Sequence, residues 1–302
     1  MAIEMTKPKD IDVGGVRTRY YDEGSGEPIV MIYGGNFGSD TSAPSATCWD
    51  QNFGVLAERF RVIALDKLGQ GYTGNPTRDE DYTMAAVVSH ATAFIRALKL
   101  PPVHLVGHSR GGYIAARLAL ESQPLVRSLT IINTGTLTPG VSTNETVLSR
   151  CPHPPYTRES ARWIYEGYCF RPETVTDAWV DVVYEVMQQP KHRETVLKMM
   201  TEQLGITQFL PALARDKRET LTWLSEGRLQ RPTPVIWGFN DKTIAAEYGI
   251  DLYNIVAAHE RRTTLSIFNE SGHFPYREHP ARFNALMTRF VAGASSMEGP
   301  RA

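Results

Sequence analysis

Apolar residues recur with two periods along this chain, and the switches between them mark out its elements. Short runs rich in β-branched and aromatic residues read as strands at 16–21, 29–33, 61–66, 103–106, 126–134, 232–239 and 263–268. Between them, apolar positions at helical spacing predict helices at 49–60, 84–98, 112–120, 245–258 and 280–291. Two β elements therefore precede the first helix, divided by the turn residues Gly24, Ser25 and Gly26. Strands alternating with helices predict a mostly parallel, doubly wound sheet, whose ligands bind beyond the carboxyl ends of the strands.

The rhythm fails between residues 136 and 225, where helical patterns are punctuated by proline, as in CPHPPY at 151–156. Trp179, Val182, Val183, Val186 and Met187 fall at i, i+3, i+4, i+7 and i+8, one apolar helix face, and Trp163, Ile164, Tyr165, Tyr168 and Phe170 add bulk nearby. Most of these residues are expected to pack cap helices, with some aromatics also facing a ligand. The expected organisation is a core in two parts, 1–135 and 226–302, around an inserted helical cap at 136–225. The small, polar tail from 293 to 302 is expected to be disordered.

One switch of period carries candidate chemistry. In VHLVGHSRGGYIAARLAL (103–120) a buried strand gives way to a helix, and Ser109 stands at the junction, flanked by Gly107 and Gly111. That G-x-S-x-G spacing on a strand-to-helix turn is a nucleophile elbow, in which side-chain-free neighbours let the backbone make a strained turn. The bland alternative is a serine capping an ordinary helix. A serine hydroxyl needs a base and a group to orient that base. Asp241 follows the apolar strand VIWGF, and His273 lies in the loop SGHFPYREHP after the last strand, so both reach the edge of the sheet where Ser109 sits. The order Ser, Asp, His fits a triad, Ser109, His273 and Asp241. His104, His108 and His279 are less suitable bases, being in a strand, beside the nucleophile and at a helix start. Backbone N–H groups of Arg110 and Gly35 are the expected oxyanion donors.

Composition narrows the ligand. The chain has 302 residues, 42% of them hydrophobic, and a formal net charge of −1. That is enough to bury a large core, and the charge balance gives no reason to expect nucleic acid or a membrane surface as partner. No secretory h-region or membrane-length apolar run is present, so a cytoplasmic protein is expected. The scattered cysteines Cys48, Cys151 and Cys169 lack disulfide or metal spacing, phosphate and dinucleotide loops are missing, and no cofactor is expected.

GHSRGG, GFND and SGH, with YGGN after the first parallel strand, resemble the α/β-hydrolase superfamily over almost the whole chain. Within it DKLGQGYTGNP (66–76), the early glycine-rich loop and VMQQPKHRE (186–194) are similar to the meta-cleavage product hydrolases. The resemblance implies hydrolysis of a carbon–carbon bond in a 2-hydroxy-6-oxo-hexa-2,4-dienoate, a small molecule made by ring opening of an aromatic compound. It implies Ser109 as nucleophile, His273 as base and Asp241 as its orienter. Members of that branch often carry Asn before the nucleophile, Met or Leu after it, Trp after the histidine and Arg in the cap; here His108, Arg110 and Phe274 take the first three places. Substrate contacts are expected from Gly34, Asn36, His108, Arg162, Trp163, Phe239 and Phe274, and a substrate carboxylate would be held by Arg110, Asn36 or Arg162. A carboxylesterase or lactonase using the same triad is the alternative, a small-molecule receptor with little turnover a third, and a homodimer is one expected assembly.

Overall fold

The computed structural model describes residues 5–140, 143, 148 and 150–296. One eight-stranded sheet runs through the molecule in the order β1-β2-β4-β3-β5-β6-β7-β8. Its strands are β1 (Lys9–Val13), β2 (Val16–Glu23), β3 (Pro28–Ile32), β4 (Arg61–Leu65), β5 (Val103–His108), β6 (Val126–Ile132), β7 (Pro234–Gly238) and β8 (Thr264–Phe268). β1 and β2 run antiparallel at one edge, and every pairing from β4 to β8 is parallel. Three β elements thus precede the first helix rather than two. β1, KDIDV, escapes a hydrophobic pattern because it is an edge strand in which only Val13 is buried.

Both faces of the sheet are covered, which is why the central strands read as unbroken apolar runs. Val30 and Ile32 of β3 pack with α2 (Met84–Ala97) and α3 (Arg110–Glu121) on one side. Ile29 and Met31 pack with Phe53 of α1 (Asp50–Ala57) and Phe283 of the C-terminal helix on the other. The described α-helices between β6 and β7 are α4 (Arg158–Tyr168), α5 (Asp177–Gln188), α6 (Pro190–Val196) and α7 (Leu210–Ser225), with π-helical turns at Leu197–Thr201 and Gly205–Phe209. A capping box on Thr157 and Ser160 starts α4. In α5 the buried face is Trp179, Val180, Val183, Val186 and Met187; Val182 of the expected stripe is only half-buried. After β7 come α8 (Ala246–Ala257), then β8, the short α9 (Pro275–Glu278) and α10 (Pro280–Ser296). The final helix continues through Gly293 to Ser296, so the first part of the expected disordered tail is helical; residues 297–302 lie outside the described residues. No helix among the described residues is long and apolar enough to cross a membrane.

β5 lies in the middle of the sheet, buried throughout, and delivers Ser109 to the carboxyl edge. The turn into α3 is tight because β5, α3 and β3 touch through main chain. A Cβ on Gly107 would lie 2.4 Å from the Gly111 carbonyl oxygen, and one on Gly111 would lie 2.2 Å from the Ile32 oxygen and 2.4 Å from that of Tyr33. Both glycines are therefore required by close approach.

Gly111→Ala tests this packing. Helix propensity favours Ala by about 1 kcal/mol, but the two carbonyl clashes are expected to outweigh it and leave a net loss of about 2–3 kcal/mol, read from the urea unfolding midpoint.

Candidate active site

Ser109 has φ 52° and ψ −126°, a backbone conformation that L-residues rarely adopt, with its N–H donating to the Ile132 carbonyl at 2.8 Å. The turn lifts the side chain off the sheet into a cavity that His273 also lines. Loops after β7 and β8 bring the other two candidate residues to the same edge. His273 Nδ1 lies 2.7 Å from Asp241 Oδ2, both side chains being buried. A carboxylate only accepts, so Nδ1 carries the proton and Nε2 is left as the basic nitrogen. Ser109 Oγ makes no hydrogen bond to His273; the two side chains line one cavity.

Asp241 is saturated with donors. Oδ1 accepts from the Thr243 N–H (2.9 Å), the Thr243 hydroxyl (2.7 Å) and the Ile244 N–H (3.1 Å), and Oδ2 also accepts from Asn133 Nδ2 at 2.7 Å. Burial alone would push this carboxyl up, but the facing His273 and the hydrogen bonds from His273, Thr243 and Asn133 outweigh it and hold it below the usual aspartate value. One carboxylate oxygen thus holds the turn at Thr243 and Ile244 while the other holds the imidazole.

His273 is fixed from its other sides. Its N–H donates to the Tyr168 carbonyl at 2.9 Å, and the Tyr168 ring stacks on the imidazole at 4.8 Å between centroids, 25° from parallel. The loop itself is tied down by Glu278, which accepts N–H groups of Gly272 (2.8 Å), Phe274 (3.3 Å) and Phe170 (2.7 Å). Asn133 and Glu278 were invisible as site residues in the sequence. Asn133 sits at the carboxyl end of β6, and that position is the only signal it offers; Glu278 acts from within α9.

Two cavities meet at Ser109. One, with an empty volume of about 420 Å³, is walled by Tyr33, Cys48, His108, Tyr165, Trp179 and Phe274. The other, about 930 Å³, is lined by Asn36, Ser39, Thr41, Ser42 and Arg110 among others. Gly34 belongs to the first and Gly35 to both, and Gly35 N–H makes no hydrogen bond to a described residue. Arg110 opens α3, where an amide has no intrahelical acceptor. His108 is neutral, since burial and then the nearby His273 press its basicity well down; its Nε2–H donates to the His273 carbonyl at 2.8 Å. Cys48 is a thiol rather than a thiolate, pushed up to about 12 by burial.

Three expected substrate contacts line neither cavity. Arg162 is turned to its own neighbourhood, donating to the Val175 carbonyl at 2.9 Å and to Asp177 at 2.5 Å. Trp163 is half-buried on α4 away from Ser109, and Phe239 is 57% exposed. Strand-end placement, aromatic character and, for Arg162, a cationic head in the cap raised these residues, but none of these fixes which way a side chain points. Of the alternative bases, His104 pairs with Ser128 (2.7 Å) and His279 with the Glu270 carbonyl (2.9 Å). Among the described residues no three His, Cys, Asp or Glu side chains are grouped as metal ligands.

The lowered Asp241 carboxyl has a consequence for stability. A group whose folded value is depressed stabilises above its unfolded value of about 3.9 and loses that contribution as pH falls through the folded value. Asp241→Asn is expected to be less stable than the parent at pH 6 by about 1–3 kcal/mol, with the gap narrowing as pH drops below about 4. Urea titrations of both proteins at pH 6 and 3.5 check it; a gap independent of pH would count against the assignment.

The family model for the alpha/beta hydrolase fold matches residues 27–162. The chain is 29% identical over 299 residues to a 2-hydroxymuconate semialdehyde hydrolase of a Pseudomonas species, covering 95% of each. It is 26% identical over 286 residues to a 2-hydroxy-6-oxo-6-(2'-aminophenyl)hexa-2,4-dienoic acid hydrolase of Metapseudomonas resinovorans, covering 93% of this chain and 90% of the relative. Among solved structures it is similar to a meta-cleavage product hydrolase from Pseudomonas fluorescens, with a TM-score of 0.77 at 26% identity over 95% of this chain and 98% of that one. The strand order, the elbow at Ser109 and these likenesses agree: the chain has the α/β-hydrolase fold and resembles the meta-cleavage product hydrolases.

Proposed function

We propose that this enzyme hydrolyses a carbon–carbon bond in a 2-hydroxy-6-oxo-hexa-2,4-dienoate produced by ring opening of an aromatic compound. The relatives named above support the reaction class, and the single observation in the site that carries it is the pair of cavities of opposite character meeting at Ser109, one aromatic and one polar with Arg110 in its wall. Such a substrate is itself two-ended, a carboxylated conjugated chain on one side of the ketone and an apolar group on the other. Residues 136–225 act as a cap, contributing Tyr165, Tyr168 and Trp179 to the aromatic side, with the core formed by 1–135 and 226–302.

The chemistry follows from the leaving group. A carbanion departs only if it is delocalised, so the dienol first ketonises, moving the hydroxyl proton to C5. Ser109 Oγ then attacks the C6 carbonyl as His273 Nε2 takes its proton, and the oxyanion is received by the N–H groups of Gly35 and Arg110. The C5–C6 bond breaks, its electrons passing into the C2 carbonyl as a dienolate that takes the proton held on His273, and the acyl group stays on Ser109. Water activated by His273 releases it as a carboxylic acid. Asp241 keeps the imidazole in the required tautomer throughout. The substrate carboxylate lies on the Arg110 side.

Ser109→Ala is expected to fold as the parent does and to lower turnover about 10³-fold or more; near-parental hydrolysis would sink the nucleophile assignment. Arg110→Met separates carbon–carbon from ester cleavage, because its backbone N–H survives the change. Loss of absorbance from a yellow ring-cleavage dienoate should be impaired about tenfold or more and hydrolysis of a neutral aryl ester far less. Ready turnover of esters by the parent enzyme, with every dienoate left unchanged, would favour a carboxylesterase instead. That alternative draws on the aromatic cavity, whose described lining has no lysine or arginine.

A further inference from the structure

Lys67 is the residue that the mechanism leaves unexplained. It follows Asp66 at the end of β4, is 1% exposed, and has no carboxylate within ion-pair distance among the described residues. Its ammonium instead donates to two main-chain carbonyls, Gly34 O at 2.7 Å and Gly35 O at 2.9 Å, and lies 4.5 Å from the centroid of the Tyr33 ring. A buried cation is expensive to desolvate, and a methionine would fill the same length of space without that penalty. Burial accordingly presses its basicity well below the ordinary lysine value, with Arg110 adding to the depression and Cys48 and Asp66 opposing it.

What the ammonium holds is the loop that carries an oxyanion donor. No peptide bond in the described chain is cis, so the C=O and N–H of the unit joining Gly34 to Gly35 point in opposite directions. With the Gly34 carbonyl drawn onto Lys67, the Gly35 N–H faces away from Lys67, and Gly35 lines the cavity that Ser109 also lines. Gly34 is pressed against the nucleophile at the same point, since a Cβ there would lie 2.8 Å from Ser109 Cβ. Gly35 has φ +80° and glycine neighbours on one side, so nothing in its own sequence restricts this peptide plane.

We infer that Lys67 is a positioning residue for the oxyanion hole, its buried ammonium clamping the Gly34 and Gly35 carbonyls so that the Gly35 N–H is aimed at the oxygen formed on attack by Ser109. The inference rests on the reading of Ser109 as the nucleophile. Preorganisation of a donor acts on the transition state and hardly at all on ground-state binding, which gives Lys67 a signature that loss of folding would not reproduce.

The test uses Lys67→Met and Lys67→Gln in the full chain, with p-nitrophenyl acetate as substrate and phenylboronic acid as a ligand that forms a tetrahedral adduct on a serine oxygen. In Lys67→Met, kcat is expected to fall about 30- to 100-fold while KM moves less than about threefold, and the inhibition constant of the boronic acid should rise by a factor comparable to the loss in kcat. Lys67→Gln keeps a neutral N–H donor and should fall between the two, about tenfold below the parent. Parental kcat and boronate affinity in either folded variant would overturn the inference, as would a loss confined to KM; if Lys67→Met does not fold, Lys67→Gln decides by the same criteria. Ser109→Ala run alongside keeps the two readings apart: turnover surviving there removes the nucleophile, whereas an inactive Ser109→Ala beside a fully active Lys67→Met removes the role of Lys67 alone.

Discussion

The site depends on one strained residue. At φ 52° and ψ −126° the backbone of Ser109 sits where non-glycine residues store of order 1–3 kcal/mol of strain, and it stays there because its surroundings leave no room to relax. Its N–H is fixed to Ile132, Gly107 and Gly111 bring β5, α3 and β3 into main-chain contact, and a Cβ on Gly112 would meet the Thr134 hydroxyl at 2.0 Å. These contacts lie in the most buried part of the sheet, so packing energy of the whole core is set against a local distortion. The result is a hydroxyl held above the sheet, at the level reached by the loops after β3, β7 and β8.

Those loops are held by a common device: charged side chains, buried or half-buried, bonded to main chain. Asp66 accepts the N–H groups of Ala46 (2.7 Å) and Tyr72 (3.0 Å), Glu278 those of Gly272, Phe274 and Phe170, and Asp241 those of Thr243 and Ile244. Arg277 donates to the Cys48 carbonyl at 2.6 Å and Lys67 to Gly34 and Gly35. Charge-assisted bonds of this kind are about twice as strong as neutral ones, and each ties down a stretch without regular secondary structure. A catalytic geometry assembled from loops is thereby given the rigidity of a strand.

Much of this was written in local sequence. Period changes located every strand from β2 to β8 and the helices around them, because central parallel strands and amphipathic helices differ in spacing. The elbow was legible because G-x-S-x-G joins two such periods, and Asp241 and His273 because each directly follows an apolar strand. β1 was not legible, since an edge strand with one buried side chain has no pattern to show. Nor were Asn133, Glu278 and Lys67: Asn133 and Lys67 act through partners far away in the chain, Glu278 through main-chain groups both near and far, and a polar residue at the end of an element carries no mark of what it will meet. Arg162 and Phe239 mislead for the converse reason, having the right chemistry and strand or helix context but side chains that turn elsewhere.

The helices from Arg158 to Ser225 leave the sheet after Ile132 and return at Pro234, into strands that are direct neighbours, with Ile132 facing Ile236 across the ladder. The two ends of this long excursion are therefore already held together by the core. Closing a loop costs only about 0.6 kcal/mol more for each doubling of its length, so the excursion can be lengthened, shortened or replaced with little effect on the sheet beneath. Its aromatic residues Tyr165, Tyr168 and Trp179 wall the cavity, whereas Ser109, Asp241 and His273 lie outside it in sequence. The excursion nevertheless reaches back to the core, its Tyr168 carbonyl accepting the His273 backbone N–H and its Phe170 N–H donating to Glu278, so a change in its length is felt at the cavity before it is felt in the sheet.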